Sequence, residues 1–298
     1  MEDVIVTEKL TKYYGKIVGV KALDLSVNKG EIFGFLGPNG AGKTTTIRIL
    51  LNLIRPSGGH ASIFGLDTRR DYVAVHRRLG YIPSDATFYA GMTGKEYLAL
   101  LGSFHGKDNN KRLNELQDMF ELDLGRQTSA YSRGMKQKLA LIQAFMSDPE
   151  LYILDEPTLG LDPLMQHSFN NLLLEEKERG KTIFLSSHLL PEVERVCDRV
   201  GIIRNGEMVT VEEVDNLKRK RVRHIELYLS REIPVEQIRL DNTEILEVSG
   251  NRVTLKFSGK TPDLLKQLCN LPLDDIVFPE ASLEDTFMEY YGEQRSEY

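Results

Sequence analysis

The sequence has few cysteines, no long apolar runs and no large excess of charge of one sign. Its two cysteines, Cys197 and Cys269, are too few for a disulfide framework or a cysteine metal cluster. We therefore expect a reducing compartment and two buried thiols that act as small apolar side chains. No apolar run approaches the ~18 residues that a membrane-spanning helix needs, and residues 1–15 lack the pattern of a targeting segment. The 38 Lys and Arg against 44 Asp and Glu argue against a surface that binds polyanions over the whole molecule.

What is present is an ordinary globular composition, with 41% hydrophobic and 28% charged residues over 298 positions. This length fits one large domain with a small one. The charge is unevenly distributed: residues 224–298 hold 15 acidic and 7 basic side chains, whereas residues 1–223 hold 29 acidic and 31 basic ones. The change follows a basic run at 218–223, and we expect domains at 1–217 and 218–298.

The first of these domains alternates short apolar runs with helical patterns, which is typical of an α/β fold with a parallel sheet. Buried strands are predicted at 31–36, 151–154 and 181–185. Helices are predicted from a Thr93 cap to Leu101, from Ser132 to Met146 and from Pro163 to about Arg179.

The second domain has the pattern of a small α+β unit. Strands are predicted at 224–229, 244–248 and 252–257, with a tight hairpin turn at 249–250 between the last two. Helices are predicted to open at Thr261 and at Ser282. Nothing in this part indicates catalysis, because it has no clustered His or Cys and its acidic residues are scattered.

A glycine-rich segment follows the first predicted strand and matches the pattern G-x-x-x-x-G-K-[ST]. Its residues are Gly37, Pro38, Asn39, Gly40, Ala41, Gly42, Lys43, Thr44 and Thr45. Backbone amides in such a turn, together with a helix N-terminus, surround a β-phosphate. We expect Lys43 to balance charge on the β- and γ-phosphates and the Thr44 hydroxyl to bind Mg²⁺. A nucleoside triphosphate with Mg²⁺ is the predicted ligand.

Two acidic residues end the apolar strand at 151–154. In P-loop NTPases a strand of this kind supplies the carboxylate that holds Mg²⁺. We assign Asp155 to Mg²⁺, through water, and Glu156 to general-base activation of the attacking water. Taken alone, two acids after a strand could equally be a helix cap or a loop, so this assignment depends on the phosphate loop.

At residues 131–137, Y-S-R-G-M-K-Q, the chain resembles the ATP-binding cassette (ABC) family, whose L-S-G-G-Q signature stands at this place. Ser132 and Gly134 match the signature, whereas Tyr131, Arg133 and Met135 differ from it. The resemblance implies a P-loop NTPase core with antiparallel β and α-helical subdomains, in addition to the small C-terminal α+β domain. It also implies a head-to-tail dimer with two ATP at its interface, in which Ser132 and Gly134 face the γ-phosphate held by the second copy. Arg133 could contact that phosphate or point to solvent.

Other positions extend the resemblance over about residues 4–212. Tyr14 stands where the family stacks an aromatic ring on adenine. Asp162, in the segment 160–162, matches the loop that crosses the dimer interface, and His188 matches the histidine that contacts the γ-phosphate. Ser84 departs from the family, which usually has a Gln there that touches Mg²⁺ or water. Either Ser84 or its neighbour Asp85 contacts the metal through water, or this contact is absent.

The motif spacing and the tail favour a transport role within the family. From Lys43 to Ser132 is 89 residues, which leaves no room for the long coiled coil of the DNA-repair members. The segment 281–288, A-S-L-E-D-T-F-M, resembles the end of the C-terminal extension in ATPases of bacterial type 2 exporters. The resemblance implies an ATPase at the cytoplasmic face of the cell membrane, with a separate integral membrane permease docked beside residues 82–91 and no nucleic acid. The alternatives are a soluble ABC ATPase that binds nucleic acid through the run at 218–223, and a regulator without a permease.

Overall fold

The computed structural model describes residues 2–105, 110–220, 223–234, 238, 240–257 and 261–279. The chain divides into two compact units, Met1–Val214 and Asp215–Tyr298. Among the described residues, no helix is both long and apolar enough to cross a membrane. The helix predicted from Ser282, and the exporter-like segment 281–288 that contains it, lie outside the described residues.

The strands of the first unit are β1 (Asp3–Tyr14), β2 (Ile17–Asn28), β3 (Ile32–Leu36), β4 (Gly58–Ile63), β5 (Leu66–Asp67), β6 (Leu79–Ile82), β7 (Leu151–Asp155), β8 (Thr182–Ser187), β9 (Arg199–Arg204) and β10 (Glu207–Glu213). Its helices are α1 (Lys43–Leu50), α2 (Tyr72–His76), α3 (Gly94–His105), α4 (Asn110–Phe120), α5 (Arg133–Phe145), α6 (Pro163–Glu178) and α7 (Leu190–Val196), with a 3₁₀ turn at Thr128–Ala130. Helix α8 (Val214–Lys220) begins at the last residue of this unit.

A six-stranded sheet in the order β10-β9-β3-β8-β7-β6 forms the centre of the first unit. Every residue of β3, β7 and β8 is buried, as expected for parallel strands covered on both faces. The three buried strands predicted from the sequence are these three, each within two residues of its predicted ends. Since β6, β7, β8, β3 and β9 run parallel, their carboxyl ends meet at one edge. Ligands bind at this edge in open α/β sheets, so the sheet brings the predicted motifs together.

A second sheet, in the order β2-β1-β4-β5, is antiparallel and shares a core with the first.

The helical part contains α3, α4 and α5. Helix α3 opens with a capping box, in which Thr93 Oγ1 accepts from the Glu96 amide at 3.2 Å and Glu96 Oε2 accepts from the Thr93 amide at 2.8 Å. The bond from that amide lowers the pKa of Glu96. The predicted cap is confirmed, and the helix extends four residues beyond its predicted end. The expected α/β core with an antiparallel subdomain and a helical subdomain is thereby confirmed.

The second unit is a small α+β structure. Its elements are β11 (Arg223–Leu229), β12 (Thr243–Ser249), β13 (Arg252–Phe257), α9 (Thr261–Leu268) and β14 (Leu273–Val277). The antiparallel sheet has the order β12-β13-β11-β14, and its core includes Ile225, Leu227, Val253 and Leu264. The predicted hairpin is confirmed, since Ser249 pairs with Arg252 across a two-residue turn. Strand β14 was not predicted.

The two cysteines differ in environment, and one expectation was wrong. Cys197 is buried at the end of α7, and burial raises the pKa of its thiol. Cys269 is exposed, because it follows α9 one position after the last core residue of that helix, Leu268. It is therefore accessible to solvent rather than an apolar core residue.

Candidate active site

The phosphate-loop sequence forms the turn between β3 and α1. Gly42 caps the helix with φ 112°, a left-handed conformation that favours glycine, and a Cβ there would lie 2.5 Å from the carbonyl oxygen of Gly19. A Cβ on Gly37 would lie 2.4 Å from the carbonyl oxygen of Ile203. Both glycines are therefore required by close packing against neighbouring backbone. The amides of Lys43, Thr44 and Thr45, at the start of α1, have no partners within the helix, and they supply the donors for an anion.

Lys43, Glu156 and His188 form a linked cluster at the sheet edge. Lys43 is only 6% exposed, and its Nζ donates to the carbonyl oxygens of Gly37 at 2.6 Å and Pro38 at 3.2 Å. The same Nζ lies 3.2 Å from Glu156 Oε1, while His188 Nδ1 lies 2.6 Å from Glu156 Oε2. One carboxylate thus contacts both groups that were predicted to touch the terminal phosphates.

Asp155 lies beside the phosphate loop and is fully buried. Its Oδ2 accepts from the Thr44 hydroxyl at 2.8 Å, and its Oδ1 accepts from the Ser186 hydroxyl at 2.6 Å. The two groups assigned to Mg²⁺ therefore meet, and both offer oxygen, the ligand atom that Mg²⁺ prefers. No cluster of three or more His, Cys, Asp or Glu suited to a metal occurs in the described part of the chain. A metal here would depend on these two oxygen groups and on phosphate oxygens.

Burial, with the nearby Asp155 charge, raises the pKa of Tyr81 to about 12.

A cavity of about 550 Å³, which we call the central cavity, is lined by most of these groups, while the fully buried Asp155 lies behind the lining residue Thr44. Its lining includes Asn39–Thr45 of the phosphate loop, Glu156 and His188, and also Tyr14 and Ser84. It is completed by Ile17, Val18, Gly19 and Leu159. The ends of strands β1 and β2 therefore contribute one wall of the cavity.

Tyr14 is placed in this wall at the end of β1. Its ring is 46% exposed, lies against Gly19 and has Lys12 Nζ 5.3 Å from its centroid. The adjacent Tyr13 is similarly exposed, at 43%, but is not among the described residues that line the central cavity.

Ser132, Gly134 and Asp162 are not part of that lining within the described chain. Ser132 caps α5, and its Oγ accepts from the Met135 amide at 3.2 Å. Asp162 caps α6 in the same way, with Oδ1 accepting from the Met165 amide at 2.9 Å. A Cβ on Gly134 would lie 2.9 Å from the carbonyl oxygen of Gly160, so these two loops pack together. The Arg133 side chain is exposed and lies along Gly160.

Sequence reasoning missed two supporting residues. Ser186 bonds Asp155 and also accepts from the Glu156 amide at 3.1 Å. Glu192, on α7, accepts from the hydroxyls of Thr158 at 2.7 Å and Ser187 at 2.6 Å. A polar residue in a buried strand was a usable signal for Ser186. No comparable signal marks Glu192, which has the pattern of a solvated helix position.

Comparison with known proteins agrees with this arrangement. Residues 20–159 match the family model described as ABC transporter. The chain is 36% identical to the bacitracin transport ATP-binding protein BcrA of Bacillus licheniformis, over 98% of both chains. A solved structure of an ATP-binding subunit of an ABC transporter is 34% identical, with a TM-score of 0.68 over 72% of this chain and 92% of that one. The cassette MJ0796, solved as a dimer bound to ADP and Pi, shares the fold at 23% identity, with a TM-score of 0.65 over 70% of this chain and 98% of that one.

A relative that is matched over nearly its whole length, together with a phosphate loop, an acidic strand end and a shared fold, establishes the family. The chain belongs to the ABC transporter family, in which it is an ATP-binding subunit with ATPase activity.

Proposed function

We propose that two copies of this chain close head-to-tail around two Mg²⁺-ATP and drive a separate membrane permease of a bacterial exporter. This proposal rests on the observation that the predicted site residues lie in two separate places. Lys43, Thr44, Glu156 and His188 line the central cavity, whereas the signature residues do not. One chain thus holds an incomplete site, which a second chain would complete.

In this proposal ATP enters the central cavity with its phosphates on the loop Gly37–Thr45. Tyr14 stacks on adenine, since its exposed ring forms part of the cavity wall. The loop amides and Lys43 hold the phosphates. Lys43 then exchanges its contact with Glu156 for one with phosphate oxygens, which releases that carboxylate.

The proposed Mg²⁺ ligands are Thr44 and Asp155, with Ser84 as a contact through water. The 2.8 Å bond between the Thr44 hydroxyl and Asp155 supports the first two, and the position of Ser84 in the cavity lining supports the third. When bound, the metal supplies positive charge that offsets charge on the phosphate oxygens. The Ser186 bond orients Asp155 for this role.

Glu156 is the proposed general base, and His188 the proposed contact for the γ-phosphate. The 2.6 Å contact between them supports both roles, because it places the base and the histidine at one point of the cavity. A carboxylate that accepts a proton from water as the water attacks phosphorus increases the nucleophilicity of that water.

The second copy would supply Ser132 and Gly134 to the γ-phosphate, and its Asp162 would lie at the interface. Ser132 already presents a hydroxyl at the N-terminus of α5, where the helix dipole favours an anion. The contact between Gly134 and the Gly160 backbone links the signature to the interface loop. The dimeric MJ0796 cassette has the same fold, which supports such an arrangement.

The proposed permease is an integral membrane protein, which holds this subunit at the cytoplasmic face of the membrane. Its docking surface includes residues 82–91, where the Tyr89 side chain is 65% exposed. The relationship to BcrA, which is named for bacitracin transport, makes a peptide antibiotic the cargo to test first.

Purification of the tagged chain from its native membranes tests this proposal. We expect an integral membrane protein to co-purify with it, and Tyr89→Ala to reduce the recovery. Salt-sensitive recovery of RNA or DNA in place of a membrane protein would support the nucleic-acid alternative, because phosphate contacts weaken steeply with salt.

Replacing Tyr14 with Ala should weaken ATP binding while leaving the phosphate contacts intact. Stacking of an aromatic ring on a base contributes about 1–3 kcal/mol, so we expect roughly 5- to 150-fold weaker binding. Titration with a fluorescent ATP analogue measures this, with Tyr14→Phe retaining affinity. Tyr13→Ala is the matched control, since the two residues are similarly exposed and only Tyr14 lines the central cavity among the described residues. Equal losses in both variants would refute the stacking role.

A further inference from the structure

Glu192 connects two segments of the active site through its carboxylate. Glu192 Oε1 accepts from the Thr158 hydroxyl at 2.7 Å, and Oε2 accepts from the Ser187 hydroxyl at 2.6 Å. Thr158 is 8% exposed and Ser187 is fully buried. Both hydroxyls are therefore largely removed from water, and Glu192 is the nearest acceptor of each, since the other acceptor of Ser187, the Leu189 carbonyl oxygen, is 3.4 Å away. Hydrogen bonds to a charged acceptor are about twice as strong as neutral ones.

The two hydroxyls belong to the segments that carry the proposed base and the proposed phosphate contact. Thr158 follows Glu156 by two residues, and Ser187 immediately precedes His188. The side chains of Glu156 and His188 meet directly at 2.6 Å. Glu192 thus makes a second connection between the same two segments.

The backbone at both points needs such support. Glu156 has φ 51°, a left-handed conformation that is strained for a residue with a Cβ. Strained backbone persists when several surrounding contacts hold it. One contact is the bond from the Glu156 amide to Ser186, and the Thr158–Glu192 bond holds the chain two residues later. On the other side, Ser187 Oγ also accepts from the Leu189 amide at 3.0 Å, so bonds on both sides hold the chain around His188.

We propose that Glu192 is a positioning residue for ATP hydrolysis. It holds the segments that carry Glu156 and His188 so that these two side chains keep their relative position in the active site. This inference rests on the proposed function, because it takes Glu156 as the base and His188 as the phosphate contact. Glu192 itself contacts neither of them through the bonds described. Its loss would leave nucleotide binding in place and misalign the reacting groups.

Steady-state ATP hydrolysis by Glu192→Ala tests the proposal. A small misplacement of reacting groups can lower a rate by up to about 10²-fold, so we expect kcat to fall roughly 10- to 100-fold with KM for ATP changed less than about threefold. Glu192→Gln should recover most of this loss, since its amide can accept from one hydroxyl and donate to the other. Thr158→Val should also lower kcat. In the double variant with Glu192→Ala, the loss should be smaller than the two single losses combined, as expected for residues in one network.

The thermal midpoint and the binding of a fluorescent ATP analogue separate positioning from general damage. A normal kcat in Glu192→Ala would overturn the inference. A loss of kcat that is fully explained by a lower thermal midpoint, and therefore by unfolded protein, would also overturn it. If that result occurs while Glu156→Gln is inactive, the proposed function is unaffected. Normal hydrolysis by Glu156→Gln would overturn both. If Glu192→Ala does not fold, an unchanged kcat in Thr158→Val overturns the inference, because that variant removes the bond to Glu192 Oε1.

Discussion

Replacing Glu156 with Gln is expected to lower steady-state ATP hydrolysis by about 10²- to 10⁴-fold, the range that a positioned general base contributes. The amide has nearly the shape of the carboxylate but cannot accept the proton of the attacking water. ATP binding should persist, because the loop amides and Lys43 remain. Phosphate release and equilibrium binding of a fluorescent ATP analogue, measured on the same preparation, give the two quantities.

The structure adds a second expectation for this variant. Glu156 contacts Lys43 Nζ and His188 Nδ1 through its two oxygens, and Gln keeps only one oxygen as an acceptor. The neutral amide removes the charge attraction to Lys43 before ATP binds, which lowers the cost of moving Lys43 to phosphate. We expect ATP affinity equal to or higher than that of the wild type. Glu178→Gln, at the exposed end of α6, is the matched control and should hydrolyse ATP normally. Hydrolysis near the wild-type rate in Glu156→Gln would remove it as the base.

Replacing Lys43 with Ala should abolish ATP binding in the micromolar range, and hydrolysis with it. Truncating one member of a buried charge pair costs about 2–5 kcal/mol, which corresponds to roughly 30- to several-thousand-fold in affinity. Lys43 is buried between two loop carbonyls and Glu156, so no neighbouring cation is placed to substitute for it among the contacts described. Equilibrium binding of the fluorescent analogue measures the loss.

Lys95→Ala on the exposed face of α3 is the control for this variant. The Lys43 and Glu156 variants should separate two steps: the first prevents binding, and the second permits binding without turnover. ATP affinity within threefold of the wild type in Lys43→Ala would contradict the assignment of Lys43 to the phosphates.

Much of the parallel sheet could be predicted because its strands are buried on both faces. Such strands are continuous apolar runs, as in I-F-G-F-L and L-Y-I-L-D, and the phosphate loop and acidic pair stand directly after them. Parallel pairing then places these motifs at one edge. The grouping of the residues that we propose as phosphate contacts was predictable for this reason.

The antiparallel strands β1 and β2 were harder to predict individually. Their pairing has several register shifts, which interrupt the alternation of buried and exposed residues on which strand prediction depends. Strand β14, L-D-D-I-V, has two adjacent aspartates and mostly exposed residues, so it has the pattern of a loop. Its partner β11 is distant in the sequence, with Glu226 opposite Val277, so no local pattern marks this pairing.

Buried carboxylates were the least predictable feature. Glu176 is fully buried on α6, where Arg112, Arg179 and the Tyr152 hydroxyl bond its carboxylate. Its partners come from separate parts of the chain, so a single sequence gives no sign of the network. The desolvation of a charge is tolerated only when such partners are present. Glu192 was missed for the same reason.

Light scattering of Glu156→Gln with and without Mg²⁺-ATP tests directly whether two copies of the chain close around ATP. We predict the mass of two chains with ATP and of one chain with ADP, and we predict that Ser132→Arg, which blocks the signature site, prevents the ATP-dependent increase. A mass of one chain under saturating ATP, with binding confirmed in the same sample, would contradict the account.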